Sequence, residues 1–169
     1  MHDLAATFDA HVEAEFQTLD LEATMDTMTD DPYVHHVPTI TGGNGTDGVR
    51  DFYAHHFIGR WPDDTSMRQV SRTVGAEQVV DELVITFTHD RVVDIFLPGI
   101  EPTGRRITVP MVVVVGFEDG KVHHEHIYWD QACVLLQAGL LERNGLPVAG
   151  AEQTEALLDQ ARPKNELIG

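Results

Sequence analysis

The stretch from Gly120 to Leu140, GKVHHEHIYWDQACVLLQAGL, is dense in side chains that can exchange protons. Three of the ten histidines lie in it, beside Glu125, Tyr128, Trp129 and Asp130. Imidazole titrates near neutral pH, and a carboxyl group in an apolar surrounding has a raised pKa, so either can act as a general acid or base. The stretch therefore predicts acid–base chemistry.

Residues 122–129 follow the pattern of a strand that returns from the turn Glu118-Asp119-Gly120, and Asp130 is a suitable cap for the helix that follows. Alternate side chains of a strand point to opposite faces. If Glu125 faces a cavity as the catalytic carboxylate, three neighbours line the same face as substrate-binding residues, His123, Ile127 and Trp129. The opposite face, toward solvent or a partner sheet, then carries His124, His126 and Tyr128.

The middle of the chain offers further catalytic candidates. Glu82 interrupts the apolar run VVDELVITF, and either it or Asp81 points inward if both faces of this strand are covered. An inward carboxylate needs a partner, because burying it unpaired is costly; the alternative for Glu82 is a salt bridge or an exposed position. His89 and Asp94 flank the bend after this strand, and such a pair could form an oriented base.

Earlier residues supply candidates for the walls of a pocket. His35 and His36 alternate in the short strand YVHHVPT, so one of them faces inward, as a catalytic or substrate-binding group or as a core histidine. Residues 47–58 predict a helix whose apolar face includes Tyr53 and His56. Trp61 follows this helix, and we expect Tyr53, His56 and Trp61 to contact a substrate.

These residues must be positioned by three helices and a set of long strands. Helical periodicity covers residues 3–18, a short segment capped by Asp20 that includes Met28, and residues 47–58. The glycine-rich segment TGGNGTDG is expected to be a loop. From Thr65 the period changes to two, which predicts long antiparallel strands. Segregated helices and strands indicate the α+β class, with a curved, cone-shaped antiparallel or mixed sheet covered by the three N-terminal helices and a cavity between them.

Composition limits the binding partners and the cellular location that can be expected. The formal charge is −17, from 28 acidic and 11 basic residues, which disfavours binding to nucleic acid or to anionic membranes. The single Cys133 excludes an internal disulfide, and no apolar run is long enough to span a membrane. The N-terminus has the wrong charge for a signal peptide. We expect one cytoplasmic domain.

Four stretches in this order resemble the SnoaL-like polyketide cyclase branch of the nuclear transport factor two-like superfamily. They are YVHHVP, THDRVVDIFLPGIEPTGRR, VVVVGFEDGKV and EHIYWDQACVLLQAGL. The resemblance implies a SnoaL-like cone domain over residues 1–142. Residues 143–169 would be a C-terminal extension that packs on the same domain or trails from it.

The resemblance also carries expectations about the site. The family's cyclases usually place an aspartate where this chain has Ile127, so the usual catalytic acid is missing. A histidine of the first strand often lines the family's cavity, which favours His36. The family usually uses no metal and no cofactor, binds a small apolar molecule, and often pairs the convex faces of its sheets in a homodimer.

Three functions remain open. The first is an enzyme that uses carboxylate and histidine acid–base chemistry on an apolar carbonyl compound, as a cyclase, isomerase, hydratase or dehydratase. Its catalytic candidates are Glu125, His89, Asp94, Glu82 and His36. The second is a non-catalytic ligand-binding or partner module, which Ile127 favours. The third is a metal-dependent enzyme that uses His123 with Glu125, or His124 with His126, and a third ligand from His36, Glu82 or His89.

Overall fold

A computed structural model describes residues 2–168. The N-terminal segment is helical, with α1 at Leu4–Glu13, a π-helical turn at Ala14–Thr18 and α2 at Leu21–Asp26. Asp3 and Asp20 begin α1 and α2, since each carboxylate accepts a hydrogen bond from a backbone N–H of the first turn. The apolar side of α1 packs on the sheet through Leu4 and Phe8, which are buried.

The third predicted helix is divided in two, with α3 at Gly45–Phe52 and a second π-helical turn at Tyr53–Phe57. The turn is closed by the N–H of Ile58, which donates to the carbonyl of Tyr53 at 2.9 Å. A π-helical turn holds one residue more than an α-helical turn, so it shifts the side chains that follow. Tyr53 and Phe57 are consequently buried, while His56 is exposed.

Six strands form one mixed sheet in the order β2-β1-β6-β5-β4-β3. The strands are β1 (Met28–His36), β2 (Thr41–Asn44), β3 (Ser66–Val74), β4 (Gln78–Thr88), β5 (Arg106–Glu118) and β6 (Lys121–Trp129). β1 and β6 run parallel, and every other neighbouring pair is antiparallel. The α+β class and the curved mixed sheet with its helices are confirmed.

Two segments differ from the sequence-based expectation. Met28, assigned to a helix, begins β1, where it is almost fully buried. The glycine-rich segment expected to be a loop contains β2, which pairs with β1. Glycine is required there, because a Cβ on Gly42 would lie 1.9 Å from the carbonyl oxygen of Val34.

The start of β6 contains a bulge. Gly116 of β5 pairs with His124, and the next residue, Phe117, pairs with Val122, so His123 has no residue opposite it. A bulge of this kind breaks the alternation of side chains. Val122, Glu125 and Ile127 are buried as a result, and His123 is not.

The chain continues into α4 (Gln131–Ala138), which ends at Gly139 in a left-handed conformation, and into α5 (Glu152–Leu158). α5 packs against β5. The thiol of Cys133 is buried beside the carbonyl of Gly150, at 3.3 Å, and burial raises its pKa to about 11. Across residues 2–168, no helix has the length and apolar character needed to cross a membrane.

Candidate active site

A cavity of about 480 Å³ lies between the helices and the concave face of the sheet. Its walls are largely aromatic and aliphatic, with rings from α1, the two π-helical turns and the segment after them, and branched side chains from β4, β5 and β6. These apolar groups include Phe8, Phe16, Phe57, Trp61, Ile85, Val113 and Ile127. A volume of this size is typical of a small-molecule site.

Four polar side chains meet at one part of the cavity wall, where Glu15, Tyr53 and Glu125 line the cavity and the fully buried His11 lies behind them. His11 comes from α1, Glu15 and Tyr53 come from the two π-helical turns, and Glu125 comes from β6. The Nε2 atom of His11 lies 2.9 Å from Glu125 Oε1, 3.2 Å from Glu15 Oε1 and 3.1 Å from the Tyr53 hydroxyl. The Tyr53 hydroxyl also donates to Glu125 Oε1 at 3.0 Å. We call these four residues the inner cluster.

A short relay fixes the orientation of His11. The hydroxyl of Thr27 donates to the carbonyl of Thr24 at 2.6 Å, so its oxygen is free to accept from the imidazole. The Nδ1 atom of His11 lies 2.6 Å from that oxygen and therefore carries a proton. The remaining nitrogen, Nε2, faces the three oxygens of the inner cluster, and a proton there makes the ring an imidazolium.

The electrostatics of the cluster shift the pKa values of its two carboxyl groups in opposite directions. Burial lowers the pKa of His11, but Glu15 and Glu125 outweigh it and raise that pKa to about 10. Burial acts to raise the pKa of Glu125, yet His11 and the Tyr53 hydroxyl bring it below its ordinary value. Burial raises the pKa of Glu15 despite the nearby imidazolium. Two carboxyl groups with opposite shifts are suited to separate roles as base and acid.

His36 forms another part of the wall. It is almost fully buried, and its Nδ1 lies 3.2 Å from the carbonyl of Thr41, so that nitrogen carries the proton and Nε2 is an acceptor. Burial lowers the pKa of His36 to about 4, which keeps the ring neutral. Tyr53, Trp61 and Ile127 line the cavity as expected from the sequence.

Glu82 lies outside the cavity, because β4 turns Asp81 inward instead. Glu82 accepts a hydrogen bond from Ser71 at 3.0 Å on the other face of the sheet. Asp81 finds the partner that its burial requires in Arg72, whose Nε and Nη2 each donate to it at 2.7 Å. The sequence allowed either Asp81 or Glu82 to face inward. In the structure, the register of β4 turns Asp81 inward.

His89 and Asp94 do not form the expected pair, and neither lines the cavity. The Nδ1 atom of His89 accepts from the N–H of Thr103 at 3.2 Å, and its buried Nε2 has no partner among residues 2–168. Asp94 lies 2.7 Å from Nδ1 of His56 at the surface, because the second π-helical turn directs His56 outward. The expectation that His56 contacts the cavity is therefore wrong.

Three other expected wall residues also lie outside the cavity. His35 points away from it, as the neighbour of the inward His36. His123 sits in the β6 bulge, 3.3 Å from the hydroxyl of Thr29. Trp129 packs its ring on Phe96, with centroids 4.7 Å apart, and donates its indole N–H to Gln131.

Sequence reasoning missed His11 and Glu15. A signal was present, since His11 lies three residues after Phe8 and Glu15 lies three after Val12. Both therefore fall within the apolar stripe of an amphipathic helix, and they are four residues apart. Polar residues in such a stripe need partners at the core.

The inner cluster also has the composition of a metal-binding set. One ligand atom each from His11, Glu15 and Glu125 lies within 4.8 Å of the others. An imidazole with two carboxylates suits Zn²⁺, Mn²⁺ or Fe²⁺. The metal partners expected from the sequence, His36, Glu82, His89, His123, His124 and His126, do not belong to this set.

Curved sheet, helical cover and a polar group in the wall of an apolar cavity define the nuclear transport factor two-like class. Within this class, the sequence-family model of the SnoaL-like domain matches residues 8–125, and this chain belongs to that family. Among curated proteins, none matches the chain.

Solved structures share the fold at low sequence identity. A candidate SnoaL-like polyketide cyclase from Jannaschia sp. CCS1 has a TM-score of 0.63 and 18% identity, over 84% of this chain and 98% of that one. A protein of unknown function from Burkholderia pseudomallei, similar to nuclear transport factor two, has a TM-score of 0.62 and 19% identity, over 82% and 98%. The epoxide hydrolase/cyclase-like enzyme SalBIII has a TM-score of 0.54 and 15% identity, over 77% and 95%.

Proposed function

We propose that the protein is a cytoplasmic acid–base enzyme that acts on a small apolar carbonyl compound. The observation that supports this most is the convergence of Glu125, Glu15 and Tyr53 in the wall of one cavity, around the buried imidazole of His11. These groups come from three separate parts of the chain, and the two carboxyl groups differ in their affinity for a proton.

In this proposal Glu125 is the general base. It is the carboxylate whose pKa is held down by His11, so it is ionised and can accept a proton from carbon next to a carbonyl group. Negative charge then develops on the carbonyl oxygen. Glu15, which keeps its proton more readily, supplies a proton or a hydrogen bond there, and the His11 imidazolium balances the charge between the two.

Cyclisation, isomerisation, hydration and elimination all need this transfer of a proton between carbon and oxygen. SalBIII has a role in pyran ring formation, which makes cyclisation one member of the class to test. The substrate would lie against the apolar walls, with His36 offering an acceptor from the side.

The test is hydrogen–deuterium exchange at the acidic carbons of 2-tetralone in D₂O, followed by NMR. This apolar ketone requires only the proton-transfer step and not the natural substrate. We expect the protein to accelerate exchange above the buffer rate and Glu125→Gln to lose most of that acceleration, about a hundredfold or more. Near-UV circular dichroism checks that the variant keeps its fold.

Glu101→Gln is the matched control, because Glu101 is exposed and lies outside the cavity. It should leave the exchange rate unchanged. An acceleration that survives Glu125→Gln would refute the assignment of the base.

A non-catalytic binding module is the second candidate, and the apolar Ile127 in the cavity wall favours it. Such a module would bind 2-tetralone, detected by chemical-shift changes, without accelerating exchange. That combination would replace the enzyme proposal with this one.

A metal-dependent enzyme is the third candidate, supported by the spacing of His11, Glu15 and Glu125. Elemental analysis of protein purified without a histidine tag decides it. One bound transition metal per chain, lost in Glu15→Gln, would favour the metal; its absence at that level rejects it.

We also propose a homodimer formed through the convex face of the sheet. Val112 of β5 and Tyr128 of β6 pair across the strands and are exposed by 38% and 44%. Light scattering after size exclusion should give twice the chain mass of 18.8 kDa, and Tyr128→Glu should give the single mass. A wild-type particle of single mass contradicts the dimer.

A further inference from the structure

The mouth of the cavity lies between the N-terminal helix and the edge strand β3. The cavity-lining residues that are exposed to solvent are found here, from α1 and its π-helical turn on one side and from β3 on the other. They are Asp9, Glu13, Gln17, Met67 and Gln69. Two of these five are carboxylates, so a molecule that enters passes an acidic rim.

Within residues 2–168, Arg72 is the one arginine that lines the cavity, and no lysine lines it. All three guanidinium nitrogens of Arg72 are occupied. Nε and Nη2 donate to the two oxygens of Asp81, and Nη1 donates to Asp9, each at 2.7 Å. The guanidinium carbon also lies 5.5 Å from the centre of the Phe8 ring. Three of its five N–H donors are thus used, and its single positive charge is balanced by two carboxylates, so little net attraction remains for the anionic group of a ligand.

The imidazolium of His11 lies behind the cavity wall, and its nitrogens also have partners within the protein. Nε2 of His11 faces the oxygens of Glu15, Tyr53 and Glu125, and Nδ1 is held by Thr27. His36 is neutral. The carboxyl groups of the wall number five, Asp9, Glu13, Glu15, Asp81 and Glu125. An anionic ligand would give up its hydration without gaining a cation in return.

We propose that the cavity selects by charge: it admits uncharged or cationic apolar molecules and rejects those with a carboxylate, sulfonate or phosphate. Asp9 and Asp81 determine this specificity, because they occupy the guanidinium that would otherwise bind an anion. The inference depends on the proposed function only in that the same cavity receives the substrate. It concerns binding and requires no turnover.

Two fluorescent probes of the same skeleton test it, N-phenyl-1-naphthylamine, which is uncharged, and 8-anilinonaphthalene-1-sulfonate, which adds one sulfonate. Fluorescence titration should show saturable binding of the uncharged probe. The sulfonate should bind about tenfold more weakly or worse, which corresponds to a difference of about 1.4 kcal/mol. Ile127→Trp, which fills the cavity, should abolish binding of the uncharged probe.

Asp9→Asn tests the role of Arg72, because Asp9 is mostly exposed and the substitution preserves the fold more readily than one at buried Asp81. It removes one of the two negative charges that balance the guanidinium, and this charge is also one of the rim charges. We expect the sulfonate to bind about three- to tenfold more tightly, with little change for the uncharged probe. Asp26→Asn is the control, since it changes the net charge equally at an exposed site outside the cavity.

Three results would overturn the inference. They are a sulfonate that binds the cavity as tightly as the uncharged probe, an uncharged probe insensitive to Ile127→Trp, and equal effects of Asp9→Asn and Asp26→Asn. Failure of the acid–base proposal has a different signature, because Glu125→Gln tests proton exchange while these titrations test binding alone.

Discussion

Both faces of β6 carry side chains that can exchange protons, but the contacts of these side chains differ between the two faces. On the inner face, Glu125 bonds to His11 and Tyr53, which lie 114 and 72 positions away in the sequence. On the outer face, His124 stacks on Tyr33 at 5.1 Å and lies 4.6 Å from the ring of His126. The Nδ1 atom of His124 is buried without a partner among residues 2–168. Convergence of distant segments, more than local density of histidine, marks the candidate site.

The largest expected difference between the faces is in stability. His11→Ala leaves Glu15 and Glu125 buried without their imidazolium, and we expect the free energy of unfolding to fall by about 3–5 kcal/mol. His126→Ala on the outer face should change it by less than about 1 kcal/mol. Urea unfolding of both variants measures the free energy of unfolding. Similar losses would show that the inner cluster stabilises the fold no more than the outer face does.

A pair of tyrosines gives the next largest contrast. Tyr53→Phe removes a hydrogen bond to the ionised Glu125 and should cost about 1.5–3 kcal/mol. Tyr33→Phe, on the outer face, should cost less than about 0.5 kcal/mol because its ring packing against His124 remains. The same unfolding assay applies, and a larger loss from Tyr33→Phe would invert the comparison.

The pH dependence of the free energy of unfolding should reveal the contribution of His11. Its pKa is about 10, above the ordinary 6.5, so its contribution is complete below pH 6.5 and is lost as the pH rises toward 10. The slope approaches at most about 1.4 kcal/mol per pH unit. Above about pH 8, where unfolded histidine is neutral, the free energy of unfolding should fall more steeply for the wild type than for His11→Gln.

Glu125 acts in the other direction. Because its pKa is lowered, Glu125 adds stability above pH 4.5, its ordinary pKa, and that contribution is lost as the solution becomes more acid.

Parallel stability curves for the wild type and His11→Gln above pH 8 would contradict the assignment of His11 as an imidazolium.

The smallest expected effect comes from the outer face. His124→Phe replaces a ring whose buried nitrogen is unpartnered with an apolar ring that can still stack on Tyr33. We expect the free energy of unfolding to rise by up to about 1 kcal/mol. A loss of similar size, seen as a lower urea midpoint, would mean that His124 has a favourable polar contact.

Most of the fold could be predicted from the sequence, because periodicity reports which faces are buried. The stripe Leu4, Phe8, Val12 and Phe16 predicts the first helix. The apolar run Met111 to Val115 predicts a central strand buried on both faces; β5 is central, but its outer face is not fully covered, since Val112 is 38% exposed. β2 could not be predicted, since its pairing depends on the close approach of Gly42 to β1, which local sequence does not reveal.

The site was predicted less completely. Glu125, His36, Tyr53, Trp61 and Ile127 were placed at the cavity because strand alternation and helix periodicity hold there. His56 and His123 were misplaced because a π-helical turn and a bulge each insert one residue into a regular pattern. His11 and Glu15 lie in the apolar stripe of the first helix, but the residue that pairs with His11 across the cluster, Glu125, is 114 positions away, so local sequence does not identify it.

The two π-helical turns explain how the cavity can be altered without a change of fold. Each holds one residue beyond the α-helical count, and one residue corresponds to about 100° of helix rotation. Glu15 and Tyr53 both sit in such turns. Deletion of a single residue from one of these turns would rotate the side chains on one side of it relative to those on the other, and would redirect Glu15 or Tyr53. Changes of chain length by one residue, as well as substitutions, are thus a route by which such a cavity acquires a different chemistry.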